Sequence, residues 1–456
     1  MSASKHYHIL GIAGHTMRGV ALALKQRGNT VTGTDENAYA PGDAWLDEHG
    51  IDWWREADAA HLDGVDVLVV GGGTATDNPE LLEAQKRGLK LSSYPEVVGE
   101  LTADARRIVV AGTHGKTTTT SLIAWLLESA GRQPDFVVGI QPNNFDSSVR
   151  AEGGEVVVLE GDEYRASSID DHSKFYYYHP DVAVITTIEH DHPDMFKDLE
   201  AIKARFKELV KGMPQTGHLY IWNGSQTATD VAVESGAPIS TYGTGGQWRA
   251  AKPNYGNGGI SFELHHHGES LGKLEVPMYG EHNIWNATAA AAVVLGEGVE
   301  FEQLAAGMAA FKGASRRFER VSRANAPITV IDDYAHHPTE VRATIAAARA
   351  HFSGRVIAIF RPHTFSRTAA LLDDYRQAFK EADQTFIAPI EGAREAGEAG
   401  KVNGADLVSG ESMHYVEDRG KLVADVVADA RPGDVVLCMT VNGYDGLAHE
   451  IADKTA

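Results

Sequence analysis

Cysteine is nearly absent. Cys438 stands alone among 456 residues, so no intramolecular disulfide can form and the fold must rest on its own cores. No basic-then-apolar leader follows Met1, and with the shortage of cysteine this predicts a reducing, cytoplasmic setting. Long apolar runs are missing as well: VDVLVVGGG and VVLCMT fall far short of the roughly 20 residues a helix needs to cross a bilayer. No membrane partner is therefore expected. Basic residues are outnumbered, 41 Lys and Arg against 63 Asp and Glu, and the net charge of −22 opposes general attraction to nucleic acid or anionic lipid. Any phosphorylated ligand must then be held by local groups: glycine turns, helix N-termini, a few placed cations and a metal ion. There is no repeat of fixed period, coiled-coil heptad or long low-complexity tract.

What is present is alternation. At roughly 100 to 200 residues per domain the length suggests about three, and the pattern divides at 1–104, 105–322 and 323–456. The first stretch runs YHILGI, a helix from about Met17 to Arg27, TVTGTD, DVLVVGGG and a helix through NPELLEAQKRG, which predicts an α/β domain wound on a parallel sheet. After the polar joint ELTADARR come the apolar strands RIVVAG, EVVVLEGDE and DVAVITTIEHDH. Between Gly217 and Pro277 the texture becomes shorter and richer in Gly and Thr, with HLYIW and GISFEL, and reads as a small antiparallel addition. A third α/β set, ITVIDDYAHH, RVIAIFRPH, QTFIAPI and DVVLCMT, completes the chain.

The stretch VVAGTHGKTTTTSLIAWLL, 109–127, has the build of a phosphate cradle. Backbone N–H groups of a glycine turn at a helix N-terminus converge on phosphate oxygens, a lysine adds mobile charge and the following hydroxyl ligates Mg²⁺. Gly112, Thr113, His114 and Gly115 form the turn, and Lys116, Thr117 and Thr118 open the helix; the turn is two residues shorter than the common pattern. Such a site needs magnesium ligands at neighbouring strand ends. Glu160, Asp162 and Glu163 end one strand, and Glu189, Asp191 and His192 another; Glu160 and His192 are the preferred metal candidates. His190, His192, His336 and His337 raise a zinc hydrolase as an alternative, although neither HExxH spacing nor a cysteine ligand set accompanies them. The run His265, His266 and His267 reads as a solvated strand or turn. Near the N-terminus, Gly11 and Gly14 follow a strand and Asp35 ends the next, which raises a nicotinamide oxidoreductase; Ala13, where the second glycine of that fingerprint belongs, departs from it.

Taken with YGEHNIWNATAAAAVV, GASRRFE and DDYAHHPTEV, these motifs make the chain resemble, in order and over nearly its whole length, the Mur ligases, ATP-dependent amide-bond formers of peptidoglycan synthesis. The family's short cradle, GT-x-GKT, matches GTHGKTT. The resemblance implies three domains: a Rossmann-like UDP-sugar domain, a central P-loop-type ATPase domain with a parallel sheet plus a small antiparallel one, and a Rossmann-like domain that brings the amine and closes over both nucleotides. It implies ATP and Mg²⁺ as cofactors and UDP-N-acetylmuramate as the sugar substrate. The expected chemistry is transfer of the γ-phosphoryl group to the substrate carboxylate, then displacement of phosphate by an amine.

By the same resemblance, Lys116 is the phosphate lysine, and Thr117 and Glu160 hold the nucleotide Mg²⁺. His192 attends a second metal, Asn283 and Asn286 lie near the base and phosphates, Arg317 reaches the γ-phosphate, and Asp333 takes the ribose. Gly11, Ala13, Gly14, His15 and Thr16 cradle the UDP diphosphate with Asp35 beside the uridine. Thr74 of GGGTATDNPE and His114 line the sugar site. Two branches of the family compete. TMRGVAL, TGTDENAYAP, DEYRASSIDDHSKFYYYHPD and HDHPDMFKDLEAIKARF are similar to ligases that attach the tripeptide L-alanyl-γ-D-glutamyl-meso-diaminopimelate. DDYAHHPTEVRATIAAAR, FRPHTFSRTAALLDDYRQAF and PIEGAREAGEAGKVNGADLV are similar to those that add L-alanine. The C-terminal domain selects the amine in this family, so L-alanine is favoured, with His363 and Arg367 as candidates for its carboxylate and Tyr334 and His337 bordering the same pocket. Neither Lys197 nor Lys203 is assigned as the carbamylated lysine of other members. Monomer and homodimer both stand.

Overall fold

The computed structural model describes residues 4–38, 42–193, 195–256, 258–392, 395 and 401–456. Parts of three stretches behind the branch assignment, residues 39–41, residue 194 and residues 393, 394 and 396–400, lie outside them. The chain divides into two compact units, one of 1–188, 200–248 and 289–307, the other of 189–199, 249–288 and 308–456.

The first unit carries two sheets. In the first, Asp52–Trp54, Thr30–Thr34, His6–Leu10, Val67–Val70 and Lys90–Ser93 lie side by side in that order, all parallel. Chain order reverses across His6–Leu10, and such a switch point opens a crevice at the carboxyl ends of the strands. The helix read from Met17 to Arg27 spans His15–Gln26.

The second sheet of this unit runs Ile239–Tyr242, His218–Trp222, Val182–Ile185, Arg106–Ala111, Val156–Gly161, Asp135–Val137 and Val149–Arg150, parallel except for the last pair. Its centre, Ile108 to Ala111, is buried, as an apolar strand covered on both faces must be. Here the switch falls at Arg106–Ala111, the strand that feeds the glycine turn. One expectation is corrected: HLYIW, read as part of an antiparallel addition, is the strand His218–Trp222 and pairs parallel with Val182–Ile185. Short, Gly-rich spacing suggested hairpins, but the partner of a strand is chosen by long-range packing, not by local texture.

The second unit holds the antiparallel pair Gly259–His266 and Glu269–Val276, as GISFEL suggested. His265 and His266 end the first strand and His267, with φ 49°, turns the chain. Its main sheet orders Glu319–Arg320, Thr329–Asp333, Val435–Met439, Val356–Phe360, Gln384–Ile387 and Met413–Tyr415, parallel after the first pair. Successive residues alternate between two buried cores, Ile331, Ala358, Phe360 and Leu437 on one face and Val330, Ile357, Ile359 and Cys438 on the other. The single thiol is therefore interior, and burial pushes its pKa up. No described helix is long and apolar enough to cross a membrane.

Candidate active site

In the first unit the strand Arg106–Ala111 runs into Gly112, whose φ is 140°; a side chain there would put its Cβ 2.0 Å from Thr186 Oγ1, so only glycine fits. Thr113 N donates to Thr187 O at 2.7 Å, His114 N to Thr187 Oγ1 at 2.9 Å and Thr186 Oγ1 to His114 O at 2.5 Å. These bonds fasten the turn to the segment after Val182–Ile185. Gly115, at φ 82°, precedes the helix Lys116–Ser129, and no side chain caps that helix. A helix start without a side-chain cap and with a positive dipole end suits an anion.

Lys116 Nζ folds back over the turn, donating to Gly112 O at 2.5 Å, Thr113 O at 3.2 Å and Glu163 Oε2 at 2.8 Å. Burial would lower its pKa, but the carboxylates of Glu163, Asp162 and Glu160 raise it, so the ammonium stays charged. One residue on, Thr117 Oγ1 donates to Glu160 Oε1 at 2.7 Å, and Gly139 N donates to Glu160 Oε2 at 2.6 Å. Asp162 pairs with Lys174 at 2.5 Å. Thr118 is buried in the same first turn. Sequence reasoning named Glu163 without its partner and did not find Lys174, Gly139, Thr186 or Thr187; no spacing rule links these positions, and only strand register brings them together.

At the switch point of the first sheet the structure gathers Gly11, Ala13, Gly14, His15, Thr16 and Asp35. Ala13 N and Asn37 N each donate to Asp35 at 3.0 Å. Gly11 has φ 77°, and Gly14 precedes the helix His15–Gln26 with no side-chain cap, leaving Thr16 in its first turn. His15 Nδ1 lies 2.8 Å from Arg18 Nη2. Thr74 follows the neighbouring strand, its N–H donating to Gly71 O at 3.2 Å.

The second unit contains the remaining candidates. Arg367 Nε donates to Asp191 Oδ1 at 2.8 Å, both side chains nearly inaccessible, and Arg367 Nη2 is 3.3 Å from His192 Nδ1. Burial would raise Asp191, but the Arg367 guanidinium, with His192, His336 and His337 near it, holds it far below the usual carboxylate range. His192 sits at φ 55°, a conformation an L side chain seldom adopts and one worth tracing to function. Thr339 Oγ1 donates to Glu189 Oε2 at 2.8 Å.

Just past the strand Thr329–Asp333, His337 caps the helix Pro338–His351 by a reciprocal bond set with Glu340. Burial lowers His336 to about 3, so it is neutral; its ring lies 6.3 Å, edge-on, from that of His363. His190 turns Nε2 to Phe196 O at 2.9 Å, and among the described residues no metal-type cluster joins any two of His190, His192, His336 and His337. Among the described residues these four histidines therefore do not gather into the cluster that the zinc hydrolase alternative drew on.

Asp333 accepts from Phe318 N at 2.6 Å, Ala335 N at 2.7 Å and Thr344 Oγ1 at 3.3 Å, and burial raises it to about 6. The Arg317 guanidinium lies 4.8 Å from the centre of the Tyr334 ring, a cation–π contact, while its neighbour Arg316 is spent on Asp332 and on the carbonyls of Thr440 and Val441. Asn286 Nδ2 donates to Asn283 Oδ1 at 2.9 Å and Asn283 Nδ2 to Tyr279 O at 2.8 Å, so the two amides share one helix face as their spacing implied.

Comparisons with known proteins place the chain in a family. Residues 6–106 match the Mur ligase family, catalytic domain; residues 110–294 the Mur ligase middle domain; and residues 316–440 the Mur ligase, glutamate ligase domain. The chain is 34% identical to a UDP-N-acetylmuramate–L-alanine ligase of Desulfitobacterium hafniense (strain Y51), covering 95% of this chain and 96% of that protein. It is 33% identical to the UDP-N-acetylmuramate–L-alanyl-γ-D-glutamyl-meso-2,6-diaminoheptandioate ligase of Escherichia coli (strain K12), covering 98% of each. The crystal structure of a murein peptide ligase from Psychrobacter arcticus 273-4 superposes with a TM-score of 0.73 at 26% identity over 99% of both chains. With three successive domain matches and relatives aligned end to end, the chain belongs to the Mur ligase family and carries its three-domain α/β fold.

Proposed function

We propose that this protein is an ADP-forming ligase that joins the lactyl carboxylate of UDP-N-acetylmuramate to the amino group of L-alanine, with ATP as the phosphoryl donor. The observation that carries the reading is the helix start without a side-chain cap, with the charged Lys116 folded over it and Thr117 hydrogen-bonded to Glu160 beside it. A hydroxyl and a carboxylate are hard oxygen donors, so the pair fits Mg²⁺. Bound there, the ion supplies charge neutralisation on the phosphoryl oxygens. His192 is assigned to a second metal.

The protein's own groups do the rest. The backbone of Gly112, Thr113, Gly115, Lys116, Thr117 and Thr118 holds the phosphates, and Lys116 moves from Glu163 to the terminal phosphoryl oxygens, which Arg317 also meets. Asn283 and Asn286 border the base; Asp333 takes the ribose, a hydroxyl of which replaces the long Thr344 bond. A sugar carboxylate oxygen attacks the terminal phosphorus as the bond to ADP breaks. The amine then attacks the carbonyl carbon, loses a proton and expels phosphate. Arg367 supports the amine assignment: its Nη1 is buried and has no hydrogen-bond partner among the described residues, so it is poised for a carboxylate, with His363, Tyr334 and His337 close to the same strand ends. His114 and Thr74 are assigned to the sugar, and Gly11 to Thr16 with Asp35 to its UDP. Domain limits are placed at 104 and 322.

A second reading, attachment of the tripeptide, is favoured by relatives of nearly equal identity that carry that name. Family membership removes the oxidoreductase. The deciding experiment offers ATP, Mg²⁺ and UDP-N-acetylmuramate with L-alanine, glycine, L-serine or the tripeptide separately and follows phosphate release. Release with L-alanine at the highest kcat/KM supports the proposal; release with the tripeptide alone overturns the amine; release with none overturns the ligase reading.

A further inference from the structure

The first unit holds a cluster that ligation leaves unused. His8 lies in the strand His6–Leu10, His61 in the short turn of helix Ala59–Leu62 and Glu80 in the first turn of the helix Pro79–Arg87. One ligand atom from each falls within 4.8 Å of the others. Glu80 Oε1 is 2.7 Å from His61 Nδ1 and 3.4 Å from His8 Nε2. His8 and Glu80 are fully buried, yet Glu80 Oε2 has no hydrogen-bond partner among the described residues. A buried carboxylate oxygen left unpaired is costly and calls for an occupant.

We infer that His8, His61 and Glu80 form a binding site for a divalent transition-metal ion of the zinc class. Four-coordinate zinc with bonds of about 2.0–2.1 Å sets its ligand atoms about 3.3 Å apart. The His8–Glu80 separation already has that value; the His61–Glu80 contact opens by about half an ångström as an ion enters. Two imidazoles and one carboxylate favour zinc-like ions over magnesium, which prefers an all-oxygen shell. The outer contacts are also of the right kind. His8 Nδ1 lies 2.8 Å from Thr32 Oγ1 and Nε2 3.1 Å from Thr34 Oγ1; with the ring proton held on Nδ1, an entering ion takes the Nε2 lone pair in place of the Thr34 contact. Trp54 stacks on His61 with ring centres 4.0 Å apart and planes 13° from parallel, which fixes that imidazole. His61, with 15% of its side chain exposed, gives the ion its way in, and the fourth position is left to water. Thr34 Oγ1 donates to Glu80 Oε1 at 2.9 Å, so an ion here also steadies the strand end that carries Asp35. The site is separate from the Thr117–Glu160 oxygen pair.

The test uses the purified full-length chain, stripped by chelator and held in excess Mg²⁺ to occupy oxygen sites, then titrated with Co²⁺ alone. The expected result is one equivalent bound with the visible absorption of low-coordinate cobalt, displaced by Zn²⁺, and a raised thermal midpoint. His61→Ala, a rim change checked for folding by circular dichroism, weakens Co²⁺ binding by about 100-fold and removes the bands; Glu80→Gln does the same, and if that variant does not fold the His61→Ala comparison decides. Equal binding by wild type and His61→Ala, as surface imidazoles such as His265 to His267 would give, overturns the inference. So does a wild type that takes up no stoichiometric Co²⁺.

Discussion

Replacing Lys116 separates the chemistry of the cradle from its stability. The Lys116 and Glu163 side chains are 13% and 1% exposed and 2.8 Å apart. Lys116→Met therefore removes a cation bonded to a carboxylate that water scarcely reaches. Breaking a buried pair from one side costs about 3–5 kcal/mol, because the remaining charge is stranded. At about 2–4 °C per kcal/mol for a domain of this size, the unfolding midpoint of the first unit falls by about 6–20 °C. The double variant Lys116→Met/Glu163→Gln strands nothing and recovers most of that loss. Turnover behaves differently: neither variant has an ammonium group for the phosphoryl oxygens, and a positioned donor of this kind is worth about 10²–10³ in rate. Phosphate release should fall by at least that factor in both, while UDP-N-acetylmuramate affinity, measured by calorimetry, stays within about twofold because Lys116 holds no part of the first sheet's crevice. The assays are thermal unfolding and phosphate release on the same three proteins. A double variant no more stable than the single, or wild-type phosphate release from either, refutes the reasoning.

Thr117→Val keeps shape but deletes the hydroxyl bonded to Glu160; the Mg²⁺ concentration for half-maximal rate should rise by about tenfold or more, and an unchanged requirement counts against the pair as the metal site. Arg367→Lys retains a charge near Asp191 but loses the planar fork, so KM for the amino substrate should rise by about tenfold with a smaller change in kcat; equal loss in both would mean that Arg367 only packs. Asp333 titrates near 6 against an ordinary 3.8, so the protonated form is favoured by folding. Its contribution, about 3 kcal/mol, is fully present below pH 3.8 and is lost as pH rises through about 6. Denaturant midpoints should show this slope in the wild type and not in Asp333→Asn; identical slopes contradict the assignment.

Much of the fold was legible because apolar strands that stop at Gly, Asp or Glu announce parallel sheets with ligands at their tips. Lys116, Thr117 and Glu160 were read this way, and the structure brings them to one strand end. The pairing of Lys116 with Glu163 was not legible. It depends on Ala111 lying opposite Gly161 in the parallel register of Arg106–Ala111 with Val156–Gly161, and nothing within either segment encodes that alignment. HLYIW failed for the same reason, since its parallel neighbour lies more than thirty residues upstream. His8, His61 and Glu80 are spread over three elements with no motif spacing, so only folding reveals their meeting. Asn283 and Asn286, by contrast, needed only helical geometry.

The register also bears on why Glu160, of three carboxylates, is the one proposed for a metal. Glu160, Asp162 and Glu163 leave the same strand end within four residues, and so high a density of negative charge beside the proposed triphosphate site would repel the substrate. The fold answers with two cations: Lys174 takes Asp162 and Lys116 takes Glu163. Glu160 has no ion-pair partner among the described residues and accepts only from a hydroxyl and a backbone N–H, donors that a cation can displace or share without stranding a charge. In the proposed reaction Lys116 turns from Glu163 toward phosphate, and positive charge entering at the same moment would keep the site near balance. On that proposal a divalent ion held by Glu160 and Thr117 would meet the need, which couples the expected movement of the lysine to the binding of the metal.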